Sequence, residues 1–431
     1  MKANPVNVRV TACRACGGTV LHDLFSLGNQ AVSDFLRPGE RAAHHCPIEL
    51  VLCKTCTLVQ QRYTAPQDFL STRHDWYRSG VTETMRAALA DVAHSAELMV
   101  ALQPGDVVLD IGSNDGTLLR SYSTEGVVKV GVEPATNLRV EGSVGVDVFV
   151  NDFWSWENYM LAAPGAKSVV TETGGHYSIP KARVITACGM FYDLDDPNKF
   201  IKDVATTLHP DGLFIAQLMC LRQTLDKRDV GNLCHEHLEF YSLRSLRLML
   251  ARHGLEIFRL ESNAVNGGSY RLYVQHAASR PFGPPNPYVA FAERAEEADG
   301  LYEWPYYAHW LAMVNWTRQN CLNVVNAALA GGKKVWAYGA STKGNVILQY
   351  YGLSGETITA AADRSPEKWG LRTAGTDIPI ASEDEFRRAA PEFALVLPYA
   401  FKTEFVARER EWLGKGGRFI VPLPELQVIG G

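Results

Sequence analysis

No stretch of this 431-residue chain reaches the roughly 18 uninterrupted apolar residues that a membrane-spanning helix needs. Basic charge is not in excess either: 42 Lys and Arg stand against 47 Asp and Glu, a formal net charge of −5. Without a basic field there is no electrostatic footprint for duplex nucleic acid, and an anionic ligand must be held by local groups. The opening MKANPVNVRVTACRAC has no apolar core of a secretory signal. The expectation is therefore a cytoplasmic protein with reduced thiols, no nucleic-acid partner and no membrane partner. Also missing are G-x-G-x-x-G and the Gly-Lys-Ser/Thr of a P-loop, so neither a dinucleotide nor a triphosphate is the first choice of ligand.

What is present begins with cysteine. Of nine, five lie between Cys13 and Cys56, and Cys13, Cys16, Cys53 and Cys56 make two C-x-x-C knuckles. Four thiolates close a tetrahedral Zn²⁺ site and leave no open coordination position, so the predicted zinc is structural. His44, His45 and Cys46 lie nearby, but two complete knuckles make them unnecessary. The intervening LHDLFSLGNQAVSDFLRPGE reads as strands and turns that return the second knuckle to the first.

Further along, the periodicity of residues 81–102 predicts a helix with Met85, Leu89, Val92 and Leu98 near one face. GDVVLDIGSNDGTLL then reads as strand Val107–Ile111, a glycine turn and a helix from Thr117, a unit that presents backbone N–H groups at the carboxyl edge of a sheet. VVKVGVEPA forms the next strand and ends in Glu133, about twenty residues on, where a carboxylate can accept both hydroxyls of a ribose. With no pyrophosphate motif ahead of it, a nucleoside cofactor such as S-adenosylmethionine fits better than NAD, with Asp110 facing the cofactor's ammonium. The candidate cofactor set is Asp110, Gly112, Ser113, Asn114, Asp115, Gly116, Glu133, Pro134, Asp152 and Phe153. Strands expected at SVVTET, ARVITAC and GLFIAQLM, with a helix at DPNKFIKDVATTLH, make an α/β sandwich. GKKVWAYGASTKGNVILQYYG and ITAAADRSPEKWG repeat strand, glycine turn and helix after a Pro-rich connector. Three parts follow, at 1–70, 71–285 and 286–431.

GNLCHEHLEFYS places Cys234, His235, Glu236 and His237 side by side. A carboxylate beside an imidazole in a dry cleft can be tuned toward neutrality, which suits removal of a proton next to a carbonyl. The alternative is a hydrogen-bonded cluster capping the helix that follows.

DIGSNDGTLL, GVEPA, the two knuckles, HEHLEFYSLRSL, NGGSYR, YGASTKGN and DRSPEKWG together resemble the nucleotide-sugar C-methyltransferases of deoxysugar and antibiotic biosynthesis, along nearly the whole chain. The resemblance implies a small zinc-binding domain, a central class I S-adenosylmethionine-dependent domain of Rossmann-like α/β fold, and a C-terminal Rossmann-like domain that helps hold a nucleotide sugar. It implies methylation of C3 of a dTDP-4-keto-deoxyhexose through an enolate, with Glu236 as base and His237 as donor to the oxyanion. Tyr77, Cys234 and His235 complete the catalytic candidates. Tyr77, His176, Asn266, Tyr338, Ser341, Lys343, Asn345 and Arg364 are the substrate-binding candidates, in a monomer or small homo-oligomer. Two departures from the family pattern, Cys234 where a tyrosine is usual and Asp193 where a histidine is usual, leave open another reaction such as epimerisation, rearrangement or methylation of a non-sugar ketone, or binding without chemistry.

Overall fold

The computed structural model describes residues 6–66, 70, 78–162 and 181–431. Tyr77, His176 and the strand expected at SVVTET lie outside them. Among the described residues no helix is long and apolar enough to cross a membrane.

In the N-terminal part, strand Leu21–Ala31 runs antiparallel to His45–Cys53, which pairs with Val59–Gln61. The fourth strand of this sheet is Glu239–Phe240, which comes from the C-H-E-H-L-E-F segment some 180 residues later in the chain.

The central sheet has seven strands in the order Leu255–Asn263, Ser269–His276, Leu208–Met219, Ala182–Cys188, Val107–Ile111, Val128–Val132, Val148–Val150. Its last five are mutually parallel, and Ser269–His276 enters antiparallel. The strand order reverses between Val107–Ile111 and Ala182–Cys188, the point where open α/β sheets leave a ligand crevice beyond their carboxyl ends. These strands are mostly apolar because helices cover both faces. Helix Glu83–Met99, capped by Thr82, buries Leu89, Val92, Ala93 and Ala96 against one face. Leu98, expected inward, is 74% exposed. Nine residues past buried Leu89 at 100° each, it falls on the opposite side of the helix, and small alanines take the inner positions.

The C-terminal sheet has the order Ile380–Ser382, Ala361–Asp363, Val335–Tyr338, Phe393–Val396, Arg418–Val421, Gln427–Ile429, parallel except for the last strand. It is tied directly to the zinc-binding part. Arg372 and Thr373 pair with Leu36 and Phe35, and the Gln349 side-chain amide bonds both backbone groups of Ala31, at 2.8 and 3.1 Å. Buried apolar residues from all three parts form one continuous cluster that joins them.

Candidate active site

The four knuckle sulfurs lie within 4.8 Å of one another, with Cys13 and Cys56 at 3.5 Å and Cys16 and Cys53 at 3.4 Å. Thiolates at the usual Zn–S distance stand about 3.8 Å apart on a tetrahedron's edges, so the four residues fit a closed structural zinc. Cys46 is outside the cluster, and His44 is bonded to Asn7.

The glycine turn of the central sheet has left-handed backbone at Gly112, Asn114 and Gly116. A Cβ at Gly112 would stand 2.8 Å from Met190 Cγ, with φ at +72°. Gly112→Ala is expected to cost about 1–2 kcal/mol from the left-handed backbone, read as a lowered melting temperature together with weakened binding of S-adenosylmethionine.

Glu133, at the end of its strand, accepts from the Asn114 amide at 3.0 Å and the Ala135 amide at 2.9 Å. Those two bonds fix the carboxylate between the glycine turn and the turn that follows its own strand. Phe153 is exposed beside Asp152, whose Oδ1 accepts the Phe153 amide at 2.7 Å. Pro134 follows Glu133 and sets the turn out of the strand.

Asp110 is buried and accepts from the Thr186 hydroxyl at 2.6 Å. Burial, helped by the charge of Glu133, pushes its carboxyl up to about 7. An ammonium pairs with the ionised form only. Affinity for S-adenosylmethionine is therefore expected to fall about tenfold per pH unit below 7 and to level off above it. Calorimetric titration over pH 5–8 reads this, and proton release on binding near neutrality is the companion signal.

Two members of the cofactor set are placed otherwise. Asp115 accepts from the Thr117 amide and hydroxyl and from the Gly80 amide, so it caps the short helix and ties down the 79–81 turn. Ser113 packs against the Val128–Val132 strand, where a Cβ on Gly131 would stand 2.8 Å from its hydroxyl.

All three parts meet at the Cys234–His237 loop. From the zinc-binding part, the Gln61 amide donates to the Leu238 carbonyl at 2.9 Å and the Gln61 side chain to the Cys234 carbonyl at 3.3 Å. Arg14, inside the first knuckle, sends Nη1 to the Gln61 carbonyl at 3.1 Å and lies 3.5 Å from the buried Glu239. From the central part, the Tyr192 carbonyl accepts from the Leu238 and Glu239 amides at 2.8 and 3.1 Å. From the C-terminal part, Tyr399 donates to Asp229 at 2.9 Å. The Asn232 amide holds the same carboxylate oxygen at 2.9 Å, and Lys343 reaches the Asn266 carbonyl at 3.3 Å.

Within the loop the side chains divide. His235 donates Nε2–H to the Cys46 carbonyl at 2.8 Å, which fastens the loop to the zinc-binding part, and burial lowers its pKa. His237 donates Nδ1–H to the Asn232 carbonyl at 2.7 Å and sets its ring edge-on to Tyr192, 4.6 Å between centroids. Cys234 is buried, its thiol pushed well up by desolvation and then by the charges of Glu236 and Asp193. Glu236 is buried, and its Oε2 has no hydrogen-bond partner among the described residues. The cluster does not cap the following helix, because the Ser242 hydroxyl does, accepting from the Ser245 amide.

The C-terminal candidates separate too. Tyr338 is 1% exposed, packed against Phe386, Phe405 and Phe419, and donates to Glu409 at 2.7 Å. It is a core residue, because the last position of a covered parallel strand points into a helix layer. Asn345 is buried and donates to the Asp34 carbonyl, joining two parts of the molecule. Ser341 accepts the Gly344 amide as a helix cap, and Asp363 accepts the Ala340 amide at 2.8 Å, so this turn spends its amides internally. Arg364 is exposed beside Glu404 at 3.5 Å. Asn266 and Lys343 remain at the edge of the loop. Sequence reasoning missed Asp229, Asn232, Tyr399, Gln61 and Arg14; the signal was polar residues in buried company, as in LVQQRYT.

Three domain models match in series: a zinc binding domain over residues 13–70, a methyltransferase domain over 78–260 and a C-methyltransferase C-terminal domain over 264–424. The C-methyltransferase NovU of Streptomyces niveus is 29% identical over 427 residues, 97% of each chain. Among solved structures, the mitomycin 7-O-methyltransferase MmcR aligns at 16% identity, TM-score 0.33, over 45% of this chain and 54% of that one. The magnesium protoporphyrin IX methyltransferase ChlM of Synechocystis PCC 6803 aligns at 12%, TM-score 0.32, over 47% and 87%. Likenesses of that size bear on neither reaction nor substrate. The serial domain matches, the four gathered thiols and the methyltransferase-type sheet agree: the chain belongs to the zinc-binding, S-adenosylmethionine-dependent C-methyltransferases.

Proposed function

We propose that the protein methylates the carbon beside the ketone of a nucleotide-linked ketosugar, C3 of a dTDP-4-keto-deoxyhexose in the formation of a deoxysugar, with Glu236 removing the proton from that carbon. The observation that carries this reading is a buried carboxyl with an unpartnered oxygen, Glu236 Oε2, on a loop fixed by all three parts of the molecule. The Met190–Asp193 turn connects that loop to the glycine turn, touching Gly112 at one end and bonding Leu238 at the other. Bound S-adenosylmethionine supplies an electrophilic methyl group. The chain's own residues make the nucleophile: Glu236 takes the acidic proton beside the ketone, and positive charge or a donor stabilises the oxygen. His237 spends Nδ1–H on Asn232, so its neutral ring carries the lone pair at Nε2, and it donates to an oxyanion only as imidazolium. Lys343 and Asn266 stand at the loop's edge to meet the sugar, and Asp110, Gly112, Asn114, Gly116, Glu133, Asp152 and Phe153 hold the cofactor. Exposed Arg364 would have to leave Glu404 to reach a phosphate.

The test is a panel of dTDP- and UDP-linked 4-ketosugars, the matching free sugars and simple ketones, offered with methyl-labelled S-adenosylmethionine. Label is expected in a nucleotide-linked ketosugar only; transfer to simple ketones alone, or to none of the panel, contradicts the substrate class.

A further inference from the structure

The strand Ala182–Cys188 ends in a turn, Met190–Asp193, closed by the Asp193 amide donating to the Met190 carbonyl at 3.1 Å. Because the Tyr192 carbonyl accepts from the Leu238 and Glu239 amides, Asp193 and Glu236 stand on hydrogen-bonded neighbouring segments. Each has an oxygen sealed from solvent and without a hydrogen-bond partner among the described residues, Oδ1 of Asp193 and Oε2 of Glu236. Ionised carboxylates are acceptors only, and two of them sharing a dry site repel. One proton held between them removes the repulsion and converts one of the pair into a donor.

The surroundings favour Asp193 as its holder. Burial, then the charge of Glu236, raises the Asp193 carboxyl well above its usual range, while Lys343 pulls the other way. Of the remaining titratable groups around it, Cys234 and Tyr241 are held neutral by burial, and burial pushes the Glu239 carboxyl well up while Arg14 pulls it down. His237 packs edge-on to the adjacent Tyr192 and has its Nδ1–H committed to a backbone carbonyl.

We propose that Asp193 is a second acid of this site, donating a proton to the ketone oxygen of the substrate while Glu236 withdraws the proton from the neighbouring carbon. The proposal rests on the reading of Glu236 as base. The C–H bond breaks and its electron pair becomes the C=C bond of an enol; the carbonyl π pair moves to oxygen and forms the O–H bond with the proton of Asp193. Glu236 ends protonated and Asp193 ionised, so the pair keeps one proton throughout and charge is conserved. A carbonyl compound is thereby activated with no free enolate and no imidazolium.

Enolisation is read on its own with a dTDP-4-keto-6-deoxyhexose in deuterated water, S-adenosylhomocysteine filling the cofactor site, by NMR loss of the proton beside the ketone. In the wild type, exchange is expected to fall at alkaline pH as Asp193 loses its proton. Asp193→Asn, which keeps shape and neutrality but transfers no proton, is expected to slow exchange on the order of 10²–10⁴-fold and to erase the alkaline limb. An Asp193→Asn enzyme with unchanged rate and an intact alkaline limb overturns the proposal, while loss of exchange in Glu236→Gln leaves the base assignment standing. A wild type with no exchange overturns both. Should Asp193→Asn not fold, infrared difference spectra of the wild type with ¹³C-labelled aspartate decide. A protonated-carboxyl band at neutral pH that shifts on ketosugar binding is expected, and its absence overturns the proposal.

Discussion

Glu236→Gln is expected to lower methyl transfer by about 10²–10⁴-fold, the usual worth of a positioned general base, while S-adenosylmethionine binds as tightly as to the wild type. The substitution keeps the shape of the side chain and removes only its capacity to take a proton. The loop backbone is held by other groups, among them the Gln61 amide and side chain, His235, His237 and the Tyr192 carbonyl. The substitution does not touch the cofactor crevice, where Glu133 and Asp110 are fixed by their own partners. Equal cofactor affinity, an unchanged melting temperature and lost turnover form the expected pattern. Retained turnover would move the base elsewhere.

The second large effect concerns a metal that takes no part in the chemistry. Structural zinc in small domains contributes apparent binding energies of about 10–16 kcal/mol, and that energy is folding energy. Stripping zinc by chelation, or Cys56→Ser, is expected to unfold the knuckles and with them Val59–Gln61, the strand that pairs with Glu239–Phe240. The Cys234–His237 loop then loses Gln61, Arg14 and the Cys46 carbonyl together. Hydrogen exchange read by mass spectrometry is expected to show residues 234–240 losing protection along with residues 50–61, while Val107–Ile111, deep in the central sheet, keeps it. Methyl transfer disappears although no catalytic side chain has changed. Cys46→Ser is the control, since Cys46 is outside the cluster and gives His235 only its backbone carbonyl. Unaltered protection at 234–240 in the zinc-free protein would contradict this coupling.

Local patterns made much of this legible in advance. The strand Val107–Ile111 with its glycine turn, Glu133 at the end of the next strand, and the C-x-x-C pairs are each written within a few residues, and the geometry follows from them. Non-local pairing was not legible. Glu239–Phe240 carries no mark assigning it to a sheet 180 residues upstream, because a two-residue strand has no period to read. His235 and His237 look alike in the sequence, and the fold parts them: one meets the Cys46 carbonyl through Nε2, the other the Asn232 carbonyl through Nδ1. YGASTKGN has the composition of a ligand turn, yet its tyrosine is core, its serine a cap and its asparagine a joint between parts; Lys343 alone points toward the loop chemistry. Composition shows which groups are present, and burial decides which of them are spent on the fold.

The central claim is that this molecule makes a carbon nucleophile beside a ketone. The most direct measurement is ¹³C NMR of the product formed from ¹³C-methyl S-adenosylmethionine and a dTDP-4-keto-6-deoxyhexose labelled with ¹³C in the sugar. The account predicts a one-bond carbon–carbon coupling between the transferred methyl and the ring carbon next to the ketone. A methyl on oxygen, or on a carbon not adjacent to the carbonyl, would contradict it.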